Sequence, residues 1–151
     1  MKLFILLFFI SFNTLASGWI DIHLTTKHEN KYYVIDKEAK EYNANNGGIG
    51  LTYDLNSTMS VKGGFYNNSY YINSNYVSID LHTNYKHFNV GADIGMVTGY
   101  RGIIDDNYAT PLLLPNLTAK NKYAKIQLGY IPAFLAPNDT AIYTLTASTR
   151  F

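Results

Sequence analysis

The chain has 151 residues, no cysteine, 15% charged and 15% aromatic side chains, 14 tyrosines and a formal net charge of +1. That length allows one domain, and a charge so close to neutrality excludes a nucleic acid as partner. Without cysteine there is no disulfide to staple a small exported domain, so its stability requires another source.

Residues 1–16 carry Lys2 next to Met1, run through the apolar stretch Leu3 to Ile10 and close on Thr14-Leu15-Ala16. That order of charge, apolar run and small residue reads as a secretory signal peptide. The domain is then residues 17–151, or 151 − 16 = 135 residues, and removing Lys2 from the 12 basic side chains leaves 11 against 11 acidic ones. No later run approaches the roughly 18 apolar residues of a membrane helix.

A period of two follows. Ile20, Ile22 and Leu24 alternate with Asp21, His23 and Thr25; Ile49, Leu51, Tyr53 and Leu55 with Gly50, Thr52 and Asp54. Met59, Val61, Gly63 and Phe65 oppose Ser60, Lys62, Gly64 and Tyr66, and Val77 to Tyr85 oppose Ser78 to Asn84 in the same way. Val90, Ala92, Ile94 and Met96 oppose Gly91, Asp93 and Gly95; Leu112 to Ala119 is less regular; Ala124 to Tyr130 and Thr140 to Phe151 alternate again. Such alternation predicts eight half-buried strands. Connections at Asn56–Thr58, Lys86–His87 and Lys120–Lys122 are short, whereas Glu29–Asn46, Asn67–Asn75, Thr98–Ala109 and Pro132–Asp139 are long. Short turns at one end, long loops at the other, an even strand count and a terminal aromatic, Phe151, predict an all-β, eight-stranded antiparallel transmembrane barrel in the outer membrane of a Gram-negative bacterium, with both termini in the periplasm. Closure satisfies every backbone group without an edge. A soluble β-sandwich or lipocalin-like barrel also alternates, and the two are told apart by which face lies inside.

With the polar faces inward, Asp21, Asp54, Lys62, Asp80, His82, Asp93, Lys125 and Arg150 fall in the lumen, crowded toward the short-turn half. Above them the inward positions are uncharged and rich in glycine: Gly50, Gly64, Tyr66, Gly95, Val97, Gly129, Ile142 and Thr144. A charged plug below a hollow is expected, since an eight-stranded barrel holds its own side chains or one small ligand. His23 and His28, and likewise His82 and His87, stand five apart and on opposite faces of a strand, so no metal site is predicted from either pair. Pro115 lies within a predicted strand and Pro132 opens the last loop; a proline withholds an N–H from the ladder on its side.

Several fragments, in order and spacing, resemble the outer-membrane lipid A palmitoyltransferases, the PagP family. They are Thr26-Lys27-His28, Ile35-Asp36-Lys37-Glu38 with Tyr42-Asn43, Gly47-Gly48-Ile49-Gly50-Leu51, Phe65-Tyr66-Asn67-Asn68-Ser69, Pro111-Leu112-Leu113-Leu114-Pro115 and Tyr130-Ile131-Pro132. The resemblance implies transfer of an acyl chain from a phospholipid to lipid A by a monomer, without cofactor or metal. It implies catalysis at the outer rim, with His28 as base, Ser69 as hydroxyl and Asn68 where the family has an aspartate. An amide cannot stabilise an imidazolium as a carboxylate does, a difference of about 10⁴ in rate in serine proteases, so Asn68→Asp is expected to raise activity. It further implies an acyl pocket at Gly64, Tyr66, Asp80 and Gly95, with Asp80 as its floor, and a lateral gate at Pro115 and Pro132. His28 has the parity of the lipid-facing side, so reaching Ser69 requires a bulge or the end of pairing. The competing reading is a non-enzymatic barrel that binds lipid or surface ligands through its long loops.

Overall fold

The computed structural model describes residues 17–35, 37–100, 109–135 and 140–151. The expected signal segment 1–16 lies outside them, as do parts of the two last long loops. Ten strands are described: β1 (Ser17–His28), β2 (Tyr32–Ile35), β3 (Glu38–Glu41), β4 (Gly48–Asp54), β5 (Met59–Asn67), β6 (Asn73–Tyr85), β7 (Phe88–Val97), β8 (Thr110–Lys120), β9 (Ala124–Ile131) and β10 (Ile142–Arg150). Eight close into one antiparallel barrel in the order β1-β10-β9-β8-β7-β6-β5-β4, and β2 and β3 form a separate hairpin. That hairpin lies in a segment expected to be loop. β6 also starts four residues before the expected Val77, because Asn73 to Tyr76 pair with β5 despite their polarity; the connection from β5 to β6 is therefore short.

The faces are inverted relative to a soluble protein. Ile22, Leu51, Ile79, Leu81, Ile94, Leu113 and Leu128 are outward and close to half exposed, while Asp21, Lys62, Asp80, His82, Asp93 and Asn116 are buried. Water would penalise such an outer wall and hydrocarbon would not, which decides against the soluble alternatives. Aromatic side chains mark both margins: Tyr130 and Tyr143, with ring centroids 5.1 Å apart, near the loop end, and Tyr85, Phe88, Tyr123 and Phe151 at the short-turn end. Phe151 lies across Gly18, where a Cβ would collide with its ring.

The lumen holds a connected ionic network. Lys62 Nζ is 2.8 Å from Asp93 and 3.9 Å from Asp80, and donates to Gln127 at 2.7 Å. Asp80 also meets His82 Nδ1 at 2.9 Å and accepts from Asn116 at 3.1 Å; Asp93 accepts from Gln127 at 2.8 Å. Nearer the short-turn mouth, Asp54 accepts from Ser17, Trp19 and Ser60, each at 2.8 Å, and pairs with Lys125 at 3.3 Å. The expected plug is therefore present, apart from Arg150, which is exposed with its guanidinium 5.7 Å from the Trp19 ring.

One irregularity places the rim. β1 pairs with β10 in one register up to His23↔Thr146 and in another from Thr25↔Leu145, so Leu24 is an extra residue. A bulge of one residue exchanges the faces of all that follows. Thr26 and His28 are thereby buried and Thr25 and Lys27 exposed, the reverse of the parity that the lower half of the strand establishes.

Candidate functional site

His28 ends β1, and Ser69 belongs to the loop between β5 and β6. Their side chains meet: Nε2 of His28 is 2.7 Å from Oγ of Ser69, and both residues are buried. The Tyr42 ring, which follows the hairpin, stacks on the imidazole with centroids 3.7 Å apart and planes 2° from parallel. Tyr33 of β2 packs tilted on the Tyr42 ring at 4.9 Å and Tyr70 edgewise on it at 5.7 Å, and these two meet each other edge-on at 4.8 Å, so the hairpin roofs the pair. Burial pushes the Tyr70 hydroxyl well above the ordinary phenol range, with Tyr42 adding to it, and burial raises Tyr100 likewise. These phenols stay neutral and serve as packing and hydrogen-bonding groups.

With the proton on Nδ1, His28 Nε2 accepts from the Ser69 hydroxyl, which is the tautomer that activates it. Nδ1 is then a buried donor without a hydrogen-bond partner among the described residues. A carboxylate in that position is what the arrangement lacks.

Asn68 does not supply a substitute, because its contacts lead elsewhere. Fully buried, it accepts at Oδ1 from the backbone N–H groups of Tyr70 and Ile72 at 2.8 and 3.0 Å. Its Nδ2 donates to Ser74 Oγ at 3.0 Å and to the Gly99 carbonyl at 2.6 Å. This residue closes the β5–β6 loop on itself and ties it to the segment after β7, and it acts on Ser69 through the backbone. Asn43 completes the placement, its N–H donating to the Ser69 carbonyl at 2.8 Å and its Nδ2 to Asn67 and to the Asn68 carbonyl.

Beneath the pair is a cavity of about 110 Å³ that extends from Ser69 and Thr26 past Tyr66 and Tyr76 to Asp21, Lys62 and Asp93. It differs from the uncharged, glycine-lined hollow expected above the plug, because Asp21, Lys62 and Asp93 line its lower end. Gly50 and Gly64 face the Tyr76 ring, whose hydroxyl is 3.0 Å from His23 Nε2. Gly95 sits so close to the Val77 carbonyl and Ser78 of the paired strand that a Cβ would collide with them. Here the glycines admit an aromatic ring and a neighbouring backbone instead of leaving space. Asp80 is held by Lys62, His82 and Asn116, and the cavity ends on Asp93, Lys62 and Asp21, so Asp80 does not form its floor. Tyr66 does line it, with its hydroxyl 2.8 Å from that of Tyr100.

On one side the wall is Leu112, Leu114 and Ile131, and there the barrel is incompletely laced. β8 pairs with β7 from Thr110 to Ala119, but with β9 only from Asn116↔Gly129 to Lys120↔Lys125. Pro115 is the first residue past the last paired one, and Tyr130 and Ile131 are paired on the β10 side alone. Pro132 follows β9 and precedes a short 3₁₀ turn, Ala133–Leu135, outside the ladder. Thus Pro115 stands at the seam, whereas Pro132 marks its upper end. Reading by residue type missed Tyr42, Asn43 and Tyr76 as site residues; for Tyr42-Asn43 the available signal was its place in a family-like fragment. Among the described residues no three His, Cys, Asp or Glu side chains gather to hold a metal.

No family model matches the chain, and no curated protein matches it. Solved structures do. Two designed transmembrane β-barrels are similar with TM-scores of 0.60 and 0.57 at 9% and 16% identity, each covering 89% of this chain and 95% of the other. The N-terminal β-barrel domain of OprF from Pseudomonas aeruginosa is similar with a TM-score of 0.51 at 13% identity, over 89% of this chain and 97% of that one. The fold is therefore an eight-stranded transmembrane barrel of the outer-membrane type. Two of the three relatives were made by design, so the likeness speaks to the fold alone.

Proposed function

We propose that this outer-membrane barrel transfers an acyl chain from a phospholipid to lipid A at its outer rim, as the resemblance to the PagP family implies. The observation that carries the reading is the buried His28–Ser69 contact at 2.7 Å, at the head of a cavity whose wall is the open part of the β8–β9 seam. A donor lipid enters sideways over Leu112 and Leu114, past Pro115, without crossing a ladder hydrogen bond. His28 Nε2 removes the Ser69 proton as Oγ attacks the donor ester, and returns it to the departing lysophospholipid oxygen. A lipid A hydroxyl then takes the acyl group in the reverse sense. Nothing in the scheme needs a cofactor, and a barrel whose eight strands all have neighbours works as a monomer.

Without a carboxylate at Nδ1 the imidazolium is poorly stabilised, and turnover is slow by the measure of about 10⁴ seen when such a carboxylate is lost. The cavity is also below the roughly 150 Å³ that holds one benzene, so a long acyl chain requires Tyr76 to swing from Gly50 or the seam to widen. Tyr76 then limits the width, and Asp93, Lys62 and Asp21, not Asp80, close the lower end.

The second reading, a barrel that binds lipid or surface ligands through its loops, is favoured by the roof of Tyr42, Tyr33 and Tyr70 over the pair. Mass spectrometry of lipid A from cells with and without the protein separates the two. An added acyl mass that disappears with His28→Ala and with Ser69→Ala, while the barrel still assembles, supports transfer, because base and hydroxyl act as a unit. Unchanged lipid A in cells with the assembled wild-type protein favours the ligand-binding barrel.

A further inference from the structure

The two ends of the barrel differ in charge. Among the described residues at the short-turn end are Lys86, Lys120, Lys122, Lys125 and Arg150, against two carboxylate side chains, Asp54 and the buried Asp21, which is in register with Lys125 through Ser148. Asp54 is already paired with Lys125, and Lys120 is turned to the Asn84 side-chain oxygen at 2.7 Å. At the loop end, by contrast, Lys27, Lys31, Lys37 and Lys40 are mixed with Glu29, Glu38 and Glu41, and Lys31 meets Glu41 at 3.3 Å. Lys86, Lys122 and Arg150 therefore remain as cations for which no ion pair is found among the described residues.

These three are neither scattered nor free-swinging. They sit on the β6–β7 turn, the β8–β9 turn and the end of β10, consecutive positions around the rim, while the β4–β5 turn Leu55–Thr58 carries no charge. Lys122 Nζ is 4.6 Å from the centroid of the exposed Tyr123 ring and Lys86 Nζ 5.6 Å from that of Tyr85, while the exposed Arg150 has its guanidinium 5.7 Å from the buried, lumen-side Trp19. Tyr85 and Tyr123 are 69% and 66% exposed and belong to the aromatic margin of the lipid-facing wall, the level of the headgroups. An ammonium seated on such a ring is held in the headgroup plane, where basic residues attract anionic lipid.

We infer that this arc is a binding surface for anionic phospholipid headgroups in the periplasmic leaflet, the side to which short barrel turns point. A zwitterionic headgroup brings its own ammonium to its phosphate, whereas the phosphodiester of a phosphatidylglycerol is uncompensated, and three cations without carboxylates select the latter. A soluble polyanion offers the same charge but gains nothing from rings at the bilayer margin.

The test uses the full barrel reconstituted in phosphatidylcholine with a trace of spin-labelled phosphatidylglycerol or phosphatidylcholine, assembly being checked by heat-modifiable migration. The wild-type protein should hold the anionic label about two- to five-fold more strongly than the zwitterionic one, and high salt should reduce the preference. Lys86→Gln, Lys122→Gln and Arg150→Gln together should bring it to parity, while Lys31→Gln, Lys37→Gln and Lys40→Gln together should leave it unchanged. Should the first triple variant not assemble, Lys86→Gln and Lys122→Gln, both in exposed turns, should each lower the preference singly. Equal retention of both labels by the wild type, a preference that survives the first triple, or one abolished only by the second triple overturns the inference. So does binding of a soluble anionic glycan in micelles without any lipid preference.

Discussion

Replacing Asn68 by aspartate separates two accounts of the rim. If residue 68 stood beside His28, the new carboxylate would stabilise the imidazolium and raise activity. The contacts found predict the opposite. Aspartate retains the two bonds from the Tyr70 and Ile72 amides, and the Ser74 hydroxyl can rotate to donate to it. The second oxygen, however, is set against the Gly99 carbonyl, where Nδ2 donates at 2.6 Å. One hydrogen bond is lost, worth about 1 kcal/mol, and a carbonyl and a carboxylate oxygen are left facing each other in a fully buried site, about 1–3 kcal/mol more. Incomplete solvation of the charge brings the total to roughly 3–5 kcal/mol, which falls on the loop and not on the barrel. Acid should restore the loop, because a carboxyl buried in this way is protonated more readily than an exposed one and then donates to Gly99. Hydrogen exchange at the Tyr70 and Ile72 amides, with lipid A mass as the activity readout, measures both sides. Unchanged protection of these amides together with greater acylation in Asn68→Asp would refute the reasoning and place residue 68 on His28.

Lys62→Met leaves Asp93 and Asp80 in the lumen without their shared cation, so the urea midpoint for unfolding should drop by the equivalent of about 3–5 kcal/mol, and a variant as stable as wild type would deny the ionic network that role. Gly95→Ala should impair assembly, read as loss of heat-modifiable migration, because its Cβ meets the backbone of the paired strand; Gly95→Trp should not fold at all. Deleting Phe151, which covers Gly18 and whose ring lies 6.0 Å from Tyr53, should abolish membrane assembly in cells. Folded protein recovered from the soluble periplasm would contradict the barrel's residence in lipid.

The strands were readable where one face meets lipid and the other the lumen, because hydrocarbon enforces alternation residue by residue, as along Val77 to Tyr85. Reading failed where that contrast ends. Asn73 to Tyr76 extend β6 above the lipid with polar residues on both faces, and Tyr32–Ile35 with Glu38–Glu41 form a hairpin that no bilayer patterns. The site was half legible. His28 and Ser69 carry their chemistry in their residue types, and the parity of His28 called for a bulge or the end of pairing, but the position of the bulge leaves no mark in composition, since Leu24 is apolar in either register. Gly50 and Gly64 signal a missing side chain without saying that Tyr76, from a strand more than ten residues away in sequence, occupies the gap. Likewise Asn68 and Ser69 are neighbours in the chain, yet in a tight turn successive side chains diverge.

The extra residue at Leu24 also fixes how deep the acyl layer reaches on this side of the barrel. Ile22 and Leu24 are covered by hydrocarbon, whereas the ammonium of Lys27, on the outer face beyond the bulge and paired with Tyr143, must reach water. Along β10, Tyr143 is eight residues from Phe151 at the opposite margin. At about 3.4 Å per residue and a tilt of about 40°, that is roughly 20 Å of bilayer, against the 25 Å usual for such barrels. The membrane beside β1 and β10 is therefore compressed, with elastic cost that rises for every ångström of mismatch. The next strand is β9, whose upper end has no β8 partner. Lipids standing there occupy a thinned patch, with their ester groups lowered toward the opening in the wall.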